Sequence, residues 1–207
     1  MKRILLSLLV VVVALAGVLL TKAFRFTSRQ VQPEAPAAFT VDADAAAARL
    51  GGALRLKTLA AAEGQPAEDA AFAALHDYMR EQYPRLHQAL KREPVGAHSV
   101  LYTWTGTDAS LRPALLLGHL DVVPVEPGTE ASWTHPPYSG LVADGYVWGR
   151  GALDDKGSVF GILESVEALL AAGFQPKRTV LLAFGGDEEV GGARARRQWR
   201  SCSASGA

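Results

Sequence analysis

Residues 113–121 read Pro-Ala-Leu-Leu-Leu-Gly-His-Leu-Asp, and residues 178–189 read Arg-Thr-Val-Leu-Leu-Ala-Phe-Gly-Gly-Asp-Glu-Glu. Each is a short apolar run that stops at glycine and opens into side chains able to ligate a metal or move a proton. Aliphatic runs of this length predict strands over 113–117 and 178–184, the first of them buried. Between them, Lys156 to Ala172 carries Val159, Ile162, Leu163, Val166, Leu169 and Leu170 at helical spacing, and Gly173 supplies a stop. Strands separated by a helix imply an α/β layer, with a largely parallel sheet and flanking helices. In open sheets of this kind, ligands gather beyond the carboxyl ends of strands, where both polar clusters fall.

Working outward, Ser99 to Trp104 alternates β-branched and aromatic residues and reads as another strand. Ala67 to Tyr83 places Phe72, Leu75 and Met79 three and four residues apart, a helix that Pro84 stops. Val41 to Ala60 is alanine-rich with Leu50, Leu54 and Leu59, a helix interrupted by Gly51-Gly52. Thr27 to Phe39 is polar, holds Pro33 and Pro36, and reads as a tether. Ahead of it, Lys2 and Arg3 precede an apolar run from Ile4 to Leu20, at the lower limit of about 17 residues that spans a bilayer core. Cations followed by such a run are the signature of export. Ala14-Leu15-Ala16 could serve as a cleavage site, but cutting there leaves an apolar new terminus, which favours an uncleaved signal anchor. The bulk of the chain is then expected outside the cytoplasm. The domain plan is an anchor over 1–22, a linker over 23–40, the N-terminal part of a catalytic domain over 41–192, and a basic tail over 193–207.

The whole chain has 207 residues, 49% apolar and 20% charged. That excludes a disordered, collagen-like or coiled-coil protein and fits one domain, or a domain and a piece. With 21 basic and 21 acidic side chains, net charge is zero, so no global excess points to nucleic acid. A single cysteine, Cys202, excludes an internal disulfide and a cysteine-based zinc site.

Three clusters carry chemistry. His119 and Asp121 stand two apart, so on extended chain they point the same way. A carboxylate on one ring nitrogen fixes the tautomer and frees the other nitrogen for metal. Taken alone, this spacing also fits a surface histidine beside a chance acid. Gly149 to Gly157 is a glycine-punctuated loop presenting Asp154, whose two oxygens can bridge a pair of divalent ions. Asp155 follows, as a first-turn charge on the helix. A dinucleotide loop needs glycine at 154 and is excluded, because an aspartate there repels a pyrophosphate. Asp187-Glu188-Glu189 packs three carboxylates together, which repel unless solvated or neutralised; one glutamate as ligand and its neighbour as general base gives each a task. No Gly-x-Ser-x-Gly and no Walker loop occurs.

His119-x-Asp121, Asp154 and Glu188-Glu189 in this order resemble the zinc aminoacylase/carboxypeptidase metallopeptidase family, which includes carnosinase, desuccinylase and glutamate carboxypeptidase. The likeness runs from about Ala45 to Gly192. It is densest over Leu117 to Pro124, Trp133, Pro136-Pro137-Tyr138-Ser139-Gly140, Gly149 to Gly157 and Gly185 to Gly192. The Pro-Pro-Tyr-Ser-Gly stretch and the N-terminal apolar segment look most like the carboxypeptidase S branch, with its N-acyl amino acid hydrolases. The resemblance implies hydrolysis of an amide bond in a dipeptide or N-acyl amino acid, using two zinc ions. It implies His119, Asp154 and Glu189 as metal ligands, with Asp154 bridging, Asp121 orienting His119, and Glu188 as general base. It also implies a cis peptide at Asp154–Asp155.

The family further needs an acidic ligand shortly after the Glu-Glu pair, a distant histidine, and a lid or dimerisation domain. Residues 190–207 contain no Asp, Glu or His, so the chain resembles an N-terminal part of the family with little turnover expected. Arg194, Arg196, Arg197 and Arg200 make its tail basic, readable as a frame change or as a surface-binding tail. A non-catalytic metal- or ligand-binding remnant and a structural membrane-tethered domain are the alternatives.

Overall fold

The computed structural model describes residues 2–28, 30, 41–61 and 68–192. The chain divides into two compact units, Met1–Phe39 and Thr40–Ala207. In the first, helix α1 spans Lys2–Phe24 and buries no residue. It is the one helix among the described residues long and apolar enough to cross a membrane. Most of the tether expected over 27–39 (residue 29 and residues 31–39) and the basic tail over 193–207 lie outside the described residues.

The second unit holds α2 (Ala43–Leu54), α3 (Asp69–Gln82), α4 (Pro84–Ala89), β1 (Lys91–Val95), β2 (Ser99–Trp104) and β3 (Ala114–His119). It continues with β4 (Leu141–Ala143), β5 (Tyr146–Trp148), α5 (Lys156–Ala171) and β6 (Val180–Gly185). The sheet order is β1-β2-β6-β3, and β4 and β5 form a separate hairpin. The α/β class expected from sequence is present, but the sheet is mixed. Within this sheet β3 and β6 run parallel, whereas β2 pairs antiparallel with β6 and with β1. The short turn at 96–98 between β1 and β2 allows antiparallel pairing without a crossover.

The core lies between the sheet and α3, α4 and α5. The Phe72, Leu75 and Met79 stripe of α3 is fully buried, as are Val159 and Leu163 of α5. They meet Val100, Tyr102, Leu182 and Phe184 from the interior strands. Thus β6 is an inner strand, paired on both sides. The exposed strand is β3, at the edge: Leu115, Leu116 and Leu117 are 53%, 41% and 67% exposed. The run at 113–117 therefore marks a strand but not a buried one. An apolar run reports which residues pair as a strand, and the edge position decides how much of them water reaches.

Helix α2 also differs from expectation. It passes through Gly51 and Gly52 without a break and ends at Leu54 instead of running to Ala60. The glycines serve close approach. A Cβ on Gly52 collides with the Tyr78 hydroxyl, and one on Gly51 comes within 2.5 Å of the Gly140 carbonyl. Tyr78 in turn donates to the Arg49 carbonyl at 3.0 Å. Gly52→Ala is therefore expected to cost about 1–3 kcal/mol by overpacking, measured by urea denaturation. Full wild-type stability in that variant would show that Tyr78 moves aside freely.

Candidate metal centre

The parallel pair brings the two polar clusters together. His119 ends β3 opposite Gly185 at the end of β6, and the Leu120 amide donates to the Gly185 carbonyl at 2.7 Å. Segment 58–60 runs beside the same corner. Thr58 Oγ1 donates to the Leu120 carbonyl at 2.6 Å, and the Val122 amide donates to the Thr58 carbonyl at 2.9 Å. Past β6 the chain turns into a short 3-10 helix, Glu188–Val190. The third cluster arrives through Gly151, which adopts φ +86°, a left-handed conformation that favours glycine. The Asp154–Asp155 peptide is cis.

His119, Asp154 and Glu189 converge. One ligand atom from each lies within 4.8 Å of the others, and His119 Nε2 is 2.9 Å from Asp154 Oδ1. Glu188 Oε2 lies 3.8 Å from the same nitrogen. His119 Nδ1 faces Asp121, 3.0 Å from its carbonyl oxygen and 3.3 Å from Oδ1. Asp121 is fully buried, whereas the Asp154 and Glu188 side chains are 76% and 63% exposed. The corner thus has a closed floor and an open mouth.

Asp121 does more than face the imidazole. Its Oδ1 accepts the Glu188 amide at 3.2 Å and its Oδ2 accepts the Glu189 amide at 3.0 Å. One buried carboxylate ties the His119 strand end to the Glu188-Glu189 turn. Asp155 likewise departs from its expected part as a helix-end charge. It occupies the N-cap position of α5 without capping it, and instead accepts the His119 amide at 3.1 Å. Neither role has a sequence signature: the first depends on β3 pairing beside β6, the second on how the loop from 149 to 155 folds back over β3.

Lys156 was not singled out in the sequence and is fully buried. Its Nζ donates to the carbonyls of Ala53 and Leu56 at 3.0 and 2.7 Å, at the end of α2. Burial lowers its pKa to about 7, with the Asp121 charge pulling the other way. His119 moves oppositely. Burial disfavours its charge, but hydrogen bonds to Asp121 and Asp154 outweigh it and raise the pKa to about 9. Burial also raises Glu189; His119 opposes this, and the carboxylates of Asp154, Asp121 and Glu188 reinforce it. Crowded carboxylates whose charge is disfavoured are what a bound cation relieves. The donors, one imidazole nitrogen and two carboxylates, suit zinc. The imidazole's second nitrogen is already oriented by Asp121, which supports ligation through Nε2.

A mixed α/β sheet thus carries an imidazole–carboxylate cluster, suited to a divalent ion, beyond its parallel strand ends. Residues 115–202 match the model of peptidase family M20/M25/M40. A probable carboxypeptidase S-like protein 2 of Dictyostelium discoideum is 43% identical over 189 residues, 86% of this chain and 36% of that one. Carboxypeptidase S of Saccharomyces cerevisiae is 41% identical over 70% of this chain and 26% of its own length. An N-fatty-acyl-amino acid synthase/hydrolase of Bos taurus is 34% identical over 90% of this chain and 37% of its own. Among solved structures, human carnosine dipeptidase 1 superposes with a TM-score of 0.56 at 23% identity, over 74% of this chain and 34% of that one. A family M20 metallo-carboxypeptidase of Sulfolobus solfataricus also gives 0.56, at 22% identity over 70% of this chain and 31% of that one; both share the fold. The chain belongs to this metallopeptidase family, in its carboxypeptidase S branch. It spans between 21% and 37% of the length of these and similar curated relatives, 36% of the first.

Proposed function

We propose that the chain carries the N-terminal part of a zinc-dependent amidohydrolase that cleaves a dipeptide or an N-acyl amino acid. The observation that carries this is the convergence of His119, Asp154 and Glu189 on one open corner. In this reading Asp154 would be shared by two divalent ions, with His119 on one and Glu189 on the other. Zinc, when bound, supplies Lewis-acid polarisation of the amide carbonyl. Asp121 holds His119 in the tautomer that leaves Nε2 free. Glu188, exposed at the mouth, takes a proton from the attacking water on Oε2 and passes it to the departing amine. The C–N bond breaks as the C–O bond forms, and the proton leaves with the amine. Among the described residues, each of two ions finds only two protein ligands, so turnover by this chain alone is low. In the same reading residues 1–22 anchor the chain in a membrane, 23–40 tether it, and the domain lies outside the cytoplasm. Membrane fractionation checks this, and finding the intact chain wholly in the soluble fraction contradicts it.

Zinc titration against a competing chelator tests the centre. His119→Ala and Glu189→Ala are each expected to weaken zinc by at least about 100-fold, because the loss exceeds that of an outer partner. Glu188→Gln keeps zinc affinity within about threefold, while any turnover of N-acyl amino acids falls by about 10²–10⁴-fold. Equal zinc affinity in wild type and His119→Ala would overturn the assignment and leave a remnant of the fold without a metal centre.

A further inference from the structure

The end of the sheet opposite the metal corner carries a charge imbalance that the proposed hydrolysis does not use. Arg112 lies two residues before β3 and Arg178 two residues before β6. Ala114 and Val180, which open those strands, are paired. With Lys177 this places three exposed cations at the amino ends of the parallel pair. The segments around them, 105–113 and 174–178, hold one acid, Asp108. Its Oδ1 already accepts the Ser110 amide and hydroxyl, at 2.9 and 2.6 Å. Among the described residues none of the three cations forms an ion pair, whereas Arg49, Arg80, Arg85 and Lys91 are each matched by a carboxylate. The two segments are fastened together. The Thr107 and Asp108 amides donate to the Pro176 and Lys177 carbonyls at 3.0 and 2.9 Å, and Arg178 Nη1 donates to the Arg112 carbonyl at 3.2 Å. Phe174, 47% exposed, belongs to the same surface, its ring edge-on to Trp104 with centroids 5.8 Å apart.

We propose that this end of the sheet docks on the anionic headgroups of the bilayer that holds α1, with Arg112, Lys177 and Arg178 against lipid phosphates and Phe174 entering the headgroup layer. This rests on the anchor reading of α1 for the choice of bilayer. Three cations held close without counter-charge repel one another, and a surface of opposite sign relieves them. Each Lys or Arg near an anionic bilayer strengthens attachment about fivefold, and the exposed Phe174 ring adds apolar area to bury. An acidic protein or a nucleic acid offers similar charge, but the bilayer is the partner that comes with the chain. Residues 25–42 connect α1 to α2, a reach of at most about 60 Å. Docking is then intramolecular, and a surface of three cations and one aromatic ring suffices. The metal corner lies at the opposite ends of the same strands, about 20 Å away. A domain docked by its basic end therefore keeps the mouth of that corner open to water, and substrates reach it from solution.

The test places the full chain in vesicles of phosphatidylcholine, with and without phosphatidylglycerol. A bimane label is carried on Gln175→Cys, an exposed position beside Phe174, in a Cys202→Ser background. Brominated lipid is expected to quench the label in the anionic vesicles and to leave it bright in phosphatidylcholine alone. Arg112→Gln combined with Lys177→Gln spares the bond from Arg178 and lowers the ratio of docked to undocked domain about 30-fold. Salt at about 0.5 M releases the label without any change at the basic end, because it screens exposed charges. Flotation with phosphatidylcholine vesicles reads α1 alone. If the chain floats with both vesicles but quenching is equal in the two lipids, or equal with and without the paired substitutions, the docking surface falls and the anchor stands. An acidic macromolecule in solution is then the occupant that remains. If the chain floats only with anionic vesicles and the paired substitutions release it, the anchor reading falls and the anionic-lipid surface stands.

Discussion

Asp121→Ala is expected to cost about 3–5 kcal/mol of stability and to weaken zinc by about 10- to 100-fold. The side chain is fully buried and serves three donors at once: the Glu188 amide, the Glu189 amide and the His119 ring. Alanine leaves two part-buried amides without that acceptor, each a penalty of at most about 1–3 kcal/mol. It also frees the turn that aims Glu188 and Glu189, and removes the group that fixes the imidazole. Asp121→Asn separates these losses. The amide keeps the volume and one acceptor oxygen, so it retains a larger share of the stability than alanine does. It has no charge to favour a ligating imidazole, so zinc binding stays weak. Urea unfolding and chelator competition on both variants make the measurement. Stability of Asp121→Ala within about 0.5 kcal/mol of wild type would mean that water replaces the carboxylate and that the two strand ends are not tied through it.

The double duty of Asp121 shows which parts of the molecule are legible from sequence. Strands β2, β3 and β6, helices α3 and α5, and the positions of the polar clusters follow from local periodicity, which needs only neighbours in the chain. Pairing does not. The run Leu115-Leu116-Leu117 is as apolar as Leu181-Leu182, yet the first is at the edge and Leu182 is fully buried. That difference is set by strand order, a property of the whole sheet. The sheet's mixed character was hidden for the same reason, since β2 and β6 are antiparallel partners 76 or more positions apart in register, as at Trp104 and Val180. Gly51-Gly52 misled because glycine marks either a helix break or a close approach, and only the packed neighbours, Tyr78 and Gly140, distinguish them. At the site, His119, Asp154 and Glu188-Glu189 were legible as residue types suited to metal and proton chemistry. Asp155 and Lys156 were not, because their tasks, holding the His119 amide and closing the end of α2, exist only once distant backbone is in place.

Acid is expected to destabilise the second unit through His76, independently of the metal corner. His76 sits in α3 and is buried. Its Nε2 has no hydrogen-bond partner. Burial, then the positive charge of Arg92, lowers its pKa to about 4 from an ordinary 6.5; Arg80 and His98 add to the positive surroundings, and a hydrogen bond to the His98 backbone opposes them. His98 itself is held by Asp69 at 2.7 Å, so that carboxylate is already committed. Between pH 6.5 and 4 the unfolded chain binds a proton at this site that the folded chain refuses. Stability therefore falls as pH drops through that window, by about 3 kcal/mol at most for the full shift. His76→Asn removes the proton site and the orphaned Nε2 while keeping a short polar side chain near the His98 backbone. Other groups titrate in the same range, so the informative quantity is the stability of wild type minus that of the variant, from urea curves at pH 7 and pH 4.5. It is expected to fall by about 2–3 kcal/mol on acidification, with wild type losing ground. Parallel loss in both proteins would place the acid sensitivity elsewhere and would mean that the folded chain accommodates a charged His76, by letting water reach Nε2 between α3 and β1.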